Sequence, residues 1–214
     1  MQDFPVFTTE NGVSSLHLKQ IPYRREAYIH VRDVQPGLLA EHLAECVSFC
    51  RMAGAEKVFA CGSGELARYP LHTAVLEMRG NAWVDPQKLA CLFPVTENTA
   101  ARWREIYRER MACVDNASTL EAREERRLLE SGGAYFVHED GQLLGIGWVE
   151  DCRLLAMAAV KQGAGETVMH TLMSLVEGAQ MTLEVASTNV RAIRLYEKLG
   201  FLKTAELSRW YRVG

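Results

Sequence analysis

The sequence predicts a mixed α/β (α+β) chain in which strands alternate with amphipathic helices, and three stretches carry that prediction. Glu139-Asp-Gly141 separates two apolar runs, and Asp-Gly readily supplies the positive φ angles of a tight hairpin. Arg153–Val160 is almost wholly apolar, as expected of a strand covered on both faces. Met181–Ala186 reads as a strand leading into a helix that Asn189 can cap and Gly200 can end, after which Phe201 opens another strand.

The remaining elements follow in order. Tyr28–Val31 and Lys57–Cys61 read as strands on either side of a long amphipathic helix from Gly37 to Met52, and Leu71–Met78 as a further strand. This is a small α/β unit. Gly62-Ser-Gly64 reads as a turn. Gly54–Cys61 echoes Gly178–Ala186, each a helix end running into a strand, which leaves open either chance likeness or a degenerate second copy of one half-fold. From Leu89–Val95 the elements crowd together: a strand, a helix beginning at Thr96 with Trp103, Ile106 and Tyr107 at helical spacing, and a charged helix from Leu120 to Leu129. The hairpin Ala134–His138 and Leu143–Val149 comes next, then the Arg153 strand, Gly163-Ala-Gly165, and a helix from about Glu166 to Glu177. The division falls near residue 90, giving an N-terminal α/β domain over 1–88 and a second domain over 89–214.

With 214 residues, 48% of them hydrophobic, the chain can bury one large core or two small ones. A net charge of −3 and scattered basic residues leave no electrostatic footprint for nucleic acid. Neither a signal segment nor an apolar run of the roughly 18 residues needed to span a bilayer is read, so no membrane partner and a cytoplasmic location are expected. Cysteines 46, 50, 61, 91, 113 and 152 form no CxxC pair and have no His-x-x-x-His partner, so neither zinc nor any other metal is expected. They read as buried thiols, with Cys46 and Cys50 sharing a helix face.

The order strand, two helices, three strands, helix, strand, helix, strand, with Asn189, Tyr196 and Gly200-Phe201 at fixed offsets, resembles the GCN5-related N-acetyltransferase (GNAT) superfamily over roughly residues 90–214. The resemblance implies a mostly antiparallel central sheet flanked by helices. It also implies acyl-coenzyme A, with acetyl-CoA the expected donor, bound on a loop of pattern Arg/Gln-x-x-Gly-x-Gly/Ala. Backbone N–H groups at a helix N-terminus lack internal partners and lie at the positive end of the helix dipole, so they suit a pyrophosphate. Gln162, Gly163, Ala164, Gly165, Glu166 and Thr167 fall on that loop. Thr167 departs from the last small residue, Ala159 stands where a proline is common, and Glu166 brings a carboxylate toward an anionic ligand. Met157, Ala158 and Ala159 would offer backbone groups to the pantetheine arm, with Leu183–Val185 on the strand that splays from them.

Tyr196 resembles the family's general acid, and Asn189 the residue that hydrogen-bonds the cofactor. Glu184 is the leading base, with Glu150, Asp151 and His138 behind it. The implied activity is acyl-CoA-dependent N-acyl transfer, acetyl to a primary amine on a small molecule or peptide by direct attack. The alternative is a non-catalytic acyl-CoA sensor or structural relative, suggested by Thr167 and Glu166. Monomer and homodimer both stay open.

Overall fold

A computed structural model describes residues 5–121, 124–176 and 178–214. Contacts divide the chain into two compact units, one ending at Ala74 but including Glu206–Gly214, the other spanning Val75–Ala205. Residues 75–88 thus group with the second unit and 206–214 with the first, where the sequence pointed to a boundary near residue 90.

In the first unit, strands β1 (Val6–Thr8), β2 (Gly12–His17) and β3 (Glu26–Val34) form an antiparallel meander, with the short helix α1 (Ile21–Arg24) between the last two. Helix α2 (Leu39–Met52) crosses over to β4 (Lys57–Cys61), which runs parallel to β3 through five register pairs from Glu26↔Lys57 to His30↔Cys61. Leu39, His42, Leu43, Cys46 and Cys50 form the buried face of α2, at the i, i+3, i+4, i+7 spacing of a core-facing helix. Leu39, Leu43, Cys46 and Cys50 pack on Leu16, Ile29, Val31 and Val58. A 3-10 turn over Gly64–Arg68 then leads to β5 (Leu71–Asn81). The sequence did not foretell β1 and β2, because three residues and a Gly-Val-Ser-Ser run carry little strand pattern.

In the second unit, β6 (Cys91–Pro94) precedes α3 (Ala100–Met111) and α4 (Glu125–Ser131). Residues 122–123 of the predicted Leu120–Leu129 helix, and its neighbour's predicted end at 177, lie outside the described residues. Strands β7 (Ala134–Glu139), β8 (Gln142–Glu150) and β9 (Arg153–Ala159) form a second antiparallel meander. Helix α5 (Gly165–Met173) crosses over to β10 (Gln180–Ala186), which is parallel to β9. Helix α6 (Val190–Lys198) leads to β11 (Leu202–Arg212). This is the mixed, mostly antiparallel sheet flanked by helices that the sequence led us to expect.

The two units repeat one plan: meander, crossover helix, parallel strand, a short helical segment and a last strand. The same turn even precedes both crossover helices. Gly37 (φ +81) and Gly163 (φ +84) each sit one residue before the N-cap, and the N-cap amides of Leu38 and Ala164 donate to the carbonyls of Gln35 and Lys161. The last strands are exchanged: β5 pairs antiparallel with β10 over Val75–Asn81, and the end of β11 pairs antiparallel with β4 at Tyr211↔Ala60 and Arg212↔Phe59.

Small residues set the packing around the second meander. A Cβ on Gly147 would fall 2.2 Å from the Leu172 side chain, so β8 admits α5 closely only because that position is glycine. On the other face Trp103, Ile106, Phe136, Ile146 and Trp148 share a core, with the Trp103 indole donating to the Tyr135 carbonyl at 3.0 Å. Three cysteines correct the sequence reading. Cys46, Cys50 and Cys61 are buried, but Cys91 and Cys113 are exposed and Cys152 is half-buried.

Candidate active site

The seam between β9 and β10 opens after two pairs. Arg153↔Thr182 and Leu154↔Leu183 are in register, and no pair follows although β9 continues to Ala159 and β10 to Ala186. A register shift between Trp148 and Val149 leaves Leu155 as an extra residue between the pairs Ala156↔Trp148 and Leu154↔Val149. Such a bulge bends the strand and frees backbone groups from the ladder. Beside the opening lies a cleft of about 350 Å³ whose walls include Leu154, Met157, Leu183, Glu184, Asn189 and Tyr196. It continues, through the shared residues Met111, Val114, Met157, Asn189 and Ala192, into a groove of about 630 Å³ over the start of α5.

Tyr196 is placed by the end of its own helix. The Phe201 amide donates to the Tyr196 carbonyl at 2.9 Å and the Gly200 amide to the Glu197 carbonyl at 3.0 Å, with Gly200 at φ +83. This is the paired-bond stop that left-handed glycine allows, with the expected apolar contact across it, Phe201 against Tyr196 at 6.1 Å between ring centres. Phe201 in turn needs Gly80, since a Cβ there would sit 2.8 Å from the Phe201 ring. Burial pushes the Tyr196 hydroxyl up to about 12, so it stays protonated across the neutral range. At the other end of α6, the Asn189 side-chain oxygen accepts from the Ala192 amide at 3.2 Å, which is the cap the sequence foretold.

The groove gathers Met157, Ala158, Ala159, Gln162, Gly163, Gly165, Glu166 and Asn189. Ala164 and Thr167 do not line it. Ala164 is buried as the N-cap of α5, and Thr167 turns its carbonyl to the Thr171 hydroxyl at 2.7 Å. No side chain caps α5, so its first amides stay free for an anion. A Cβ on Gly165 would lie 3.3 Å from Leu195, which makes this glycine the point where α5 and α6 close on each other. The Glu166 carboxylate is turned to two lysines: Lys88 Nζ donates at 2.7 Å and Lys198 pairs with the other oxygen. Those two cations hold Glu166 down to about 2, the Lys198 bond contributing most. The carboxylate that the sequence set against an anionic ligand is therefore already neutralised.

Glu184 lines the cleft, half-exposed, and its carboxylate accepts from Arg153 at 2.8 Å. It stands directly across the ladder from Glu77, which has its own partner in Arg79 at 2.8 Å. The lesser base candidates line neither hollow. Glu150 pairs with Arg127 at 3.4 Å, Asp151 lies in the left-handed turn after β8, and His138 packs edge-on against Phe93. The far wall of the cleft escaped sequence reasoning. It comes from Tyr107 and the 114–118 segment after α3, fastened where Thr188 donates to Asp115 at 2.7 Å. Arg110 and Arg191 add cations to the groove. None of these has a local pattern that marks it, since each acts only through a contact made across the fold. Among the described residues no group of His, Cys, Asp or Glu is placed to hold a metal, and no helix is long and apolar enough to cross a membrane.

Comparison with known proteins bears on this geometry. Residues 100–201 match the model of the acetyltransferase (GNAT) family. Among solved structures, a GCN5-related N-acetyltransferase from Kribbella flavida superposes with a TM-score of 0.59 at 13% identity, covering 99% of this chain and 90% of its own. One from Sphaerobacter thermophilus gives 0.55 at 13% identity over 94% and 76%. A GNAT-family acetyltransferase from Colwellia psychrerythraea gives 0.50 at 14% over 98% and 84%. At these identities the likeness is one of fold. No curated protein matches the chain.

Proposed function

We propose that this protein, whose residues 100–201 match the acetyltransferase (GNAT) family model, moves the acetyl group of acetyl-CoA to a primary amine by direct attack. One observation carries the reading: the uncapped start of α5, the opened β9–β10 seam and the buried Tyr196 adjoin in one continuous hollow. The pyrophosphate would rest on the amides after Gly163, with Arg110 and Arg191 offsetting its charge. The pantetheine arm would lie along Met157–Ala159, whose β10 side has no strand partner, and would bring the thioester into the cleft.

There a neutral amine attacks the thioester carbonyl, a C–N bond forms, and the C–S bond breaks to release a thiolate. Tyr196 donates its proton to that sulfur. Burial raises the tyrosine to about 12, and the same dry surroundings raise the leaving thiol in the same direction, which partly offsets the tyrosine's shift. The proton shed by the amine leaves toward Glu184, directly or through water, and restores the tyrosine in a later step. A carboxylate at the cleft wall can take that proton even while Arg153 holds one of its oxygens, because an ionised carboxylate accepts at two oxygens.

Calorimetric titration with acetyl-CoA tests the reading. Micromolar binding that weakens at least tenfold in Gly163→Val and Gly165→Val is the expected result. Absence of binding by the folded wild-type protein would overturn it.

A further inference from the structure

The groove over the start of α5 has a pair of cations at its edge that the transfer steps do not use. Lys88 reaches the Glu166 carboxylate from the 3-10 turn Pro86–Lys88, and Lys198 reaches its other oxygen from the last turn of α6. Glu166 itself lines the groove from the first turn of α5. The segment that carries Lys88 is pinned to the same helix on both sides: the Asp85 amide donates to His170 Nδ1 at 3.3 Å and the Ala90 amide to the Thr171 hydroxyl at 3.0 Å. One lysine would neutralise Glu166. Two leave a net positive charge, and both stay open to solvent, their side chains being 40% and 64% exposed. Exposed ion pairs contribute little to stability, so holding the fold together is a poor reason for a second lysine. An ammonium has three N–H donors and needs one for Glu166, so each lysine can also meet another anion.

We infer that Lys88 and Lys198 bind the 3′-phosphate on the adenosine of the donor, with Glu166 holding the two ammonium groups side by side. The inference rests on the acyl-CoA reading and adds what the groove selects: a donor with a third phosphate over one whose ribose carries none. A single ribose separates that phosphate from the pyrophosphate by roughly 5 to 7 Å, little more than one helical turn, and Glu166 lies within the first turn that follows Gly163. A phosphate near neutral pH carries almost two negative charges and three acceptor oxygens, so it can take one N–H from each lysine while Glu166 keeps another.

Calorimetric titration of the full chain with acetyl-CoA and with acetyl-3′-dephospho-CoA tests this. The wild type should bind acetyl-CoA about tenfold more tightly than the dephospho form at low salt, with the ratio shrinking as KCl is raised. Removing the lysines alone would leave Glu166 bare to repel any anion, so the variant to compare is Lys88→Gln/Lys198→Gln/Glu166→Gln, which takes away all three charges. Its ratio should fall to within about twofold. The milder Lys198→Gln/Glu166→Gln keeps Lys88 and should give an intermediate ratio of about threefold, which keeps the test available if the triple variant unfolds. Arg110→Gln, elsewhere on the groove, should weaken both donors alike and leave the ratio standing. A wild-type ratio near one, a ratio undiminished in the lysine variants, or one that collapses in Arg110→Gln instead overturns the proposal. Equal binding of both donors would sink this inference and leave the acyl-CoA reading intact, whereas a wild type that binds neither takes both down.

Discussion

The role proposed for Tyr196 depends on its buried hydroxyl and its position on a helix stop, so one substitution separates the two. Tyr196→Phe keeps the ring against Phe201 and loses only the hydroxyl, and transfer should fall about a hundredfold or more while acetyl-CoA affinity stays within twofold. Steady-state rates beside calorimetry check this; unchanged turnover would remove the tyrosine from the mechanism. Glu166 gives the opposite sign. Glu166→Gln frees Lys88 and Lys198 beside the groove, so acetyl-CoA should bind a few-fold more tightly, with a steeper loss of affinity as salt is raised. Because its folded value is held down to about 2, the stabilisation from the ionised Glu166 is present above the ordinary carboxylate range and lost as pH falls toward 2.

At the level of elements, the site depends on glycines that never touch it. Gly200→Ala forces a Cβ into the left-handed stop at φ +83, at a cost of about 1–2 kcal/mol, and the melting temperature should drop by roughly 2–8 °C. Gly80→Ala crowds Phe201 and through it Tyr196, so turnover should fall although residue 80 lines neither hollow. Thermal melts and kcat measured together distinguish these from a lost ligand contact. The same elements show what could be read in advance. Asn189, Tyr196, Gly200 and Phe201 were legible because capping, helical spacing and left-handed glycine are local rules that act within a dozen residues. The partners of Glu166 lie 78 and 32 residues away, and the cleft wall at Tyr107 and Asn116 follows from a segment whose position is set by Thr188. Contacts of that range leave no periodicity behind. The strands β1 and β2 escaped for a simpler reason, β1 being only three residues long and β2 opening on Gly-Val-Ser-Ser.

Across the whole chain, the two units follow one plan, but only one of them opens. The β3–β4 seam is zipped through five pairs, whereas β9–β10 parts after two. Acetyl-CoA should therefore bind with a stoichiometry of one per chain; a calorimetric ratio of two would contradict the closed seam. Buried thiols should contribute to a loss of stability at alkaline pH. Cys46 is pushed up to about 11, and Cys50 and Cys61 to about 12, so each keeps its proton in the folded state after the unfolded chain has begun to lose it. Stability should be flat at neutral pH and decline as pH climbs from the ordinary thiol range toward 12, and Cys61→Ser should shallow that decline in denaturant melts taken across pH 8 to 11.

The exchanged strands bear on the order in which the molecule can be made. During synthesis the first meander, its crossover helix and β4 leave the ribosome early, yet the strand that covers β4 is the end of β11. The early half must wait, with that strand edge bare, until residues 206–214 have been translated. Birth order and completion order are thus reversed: the half that is made first is sealed last.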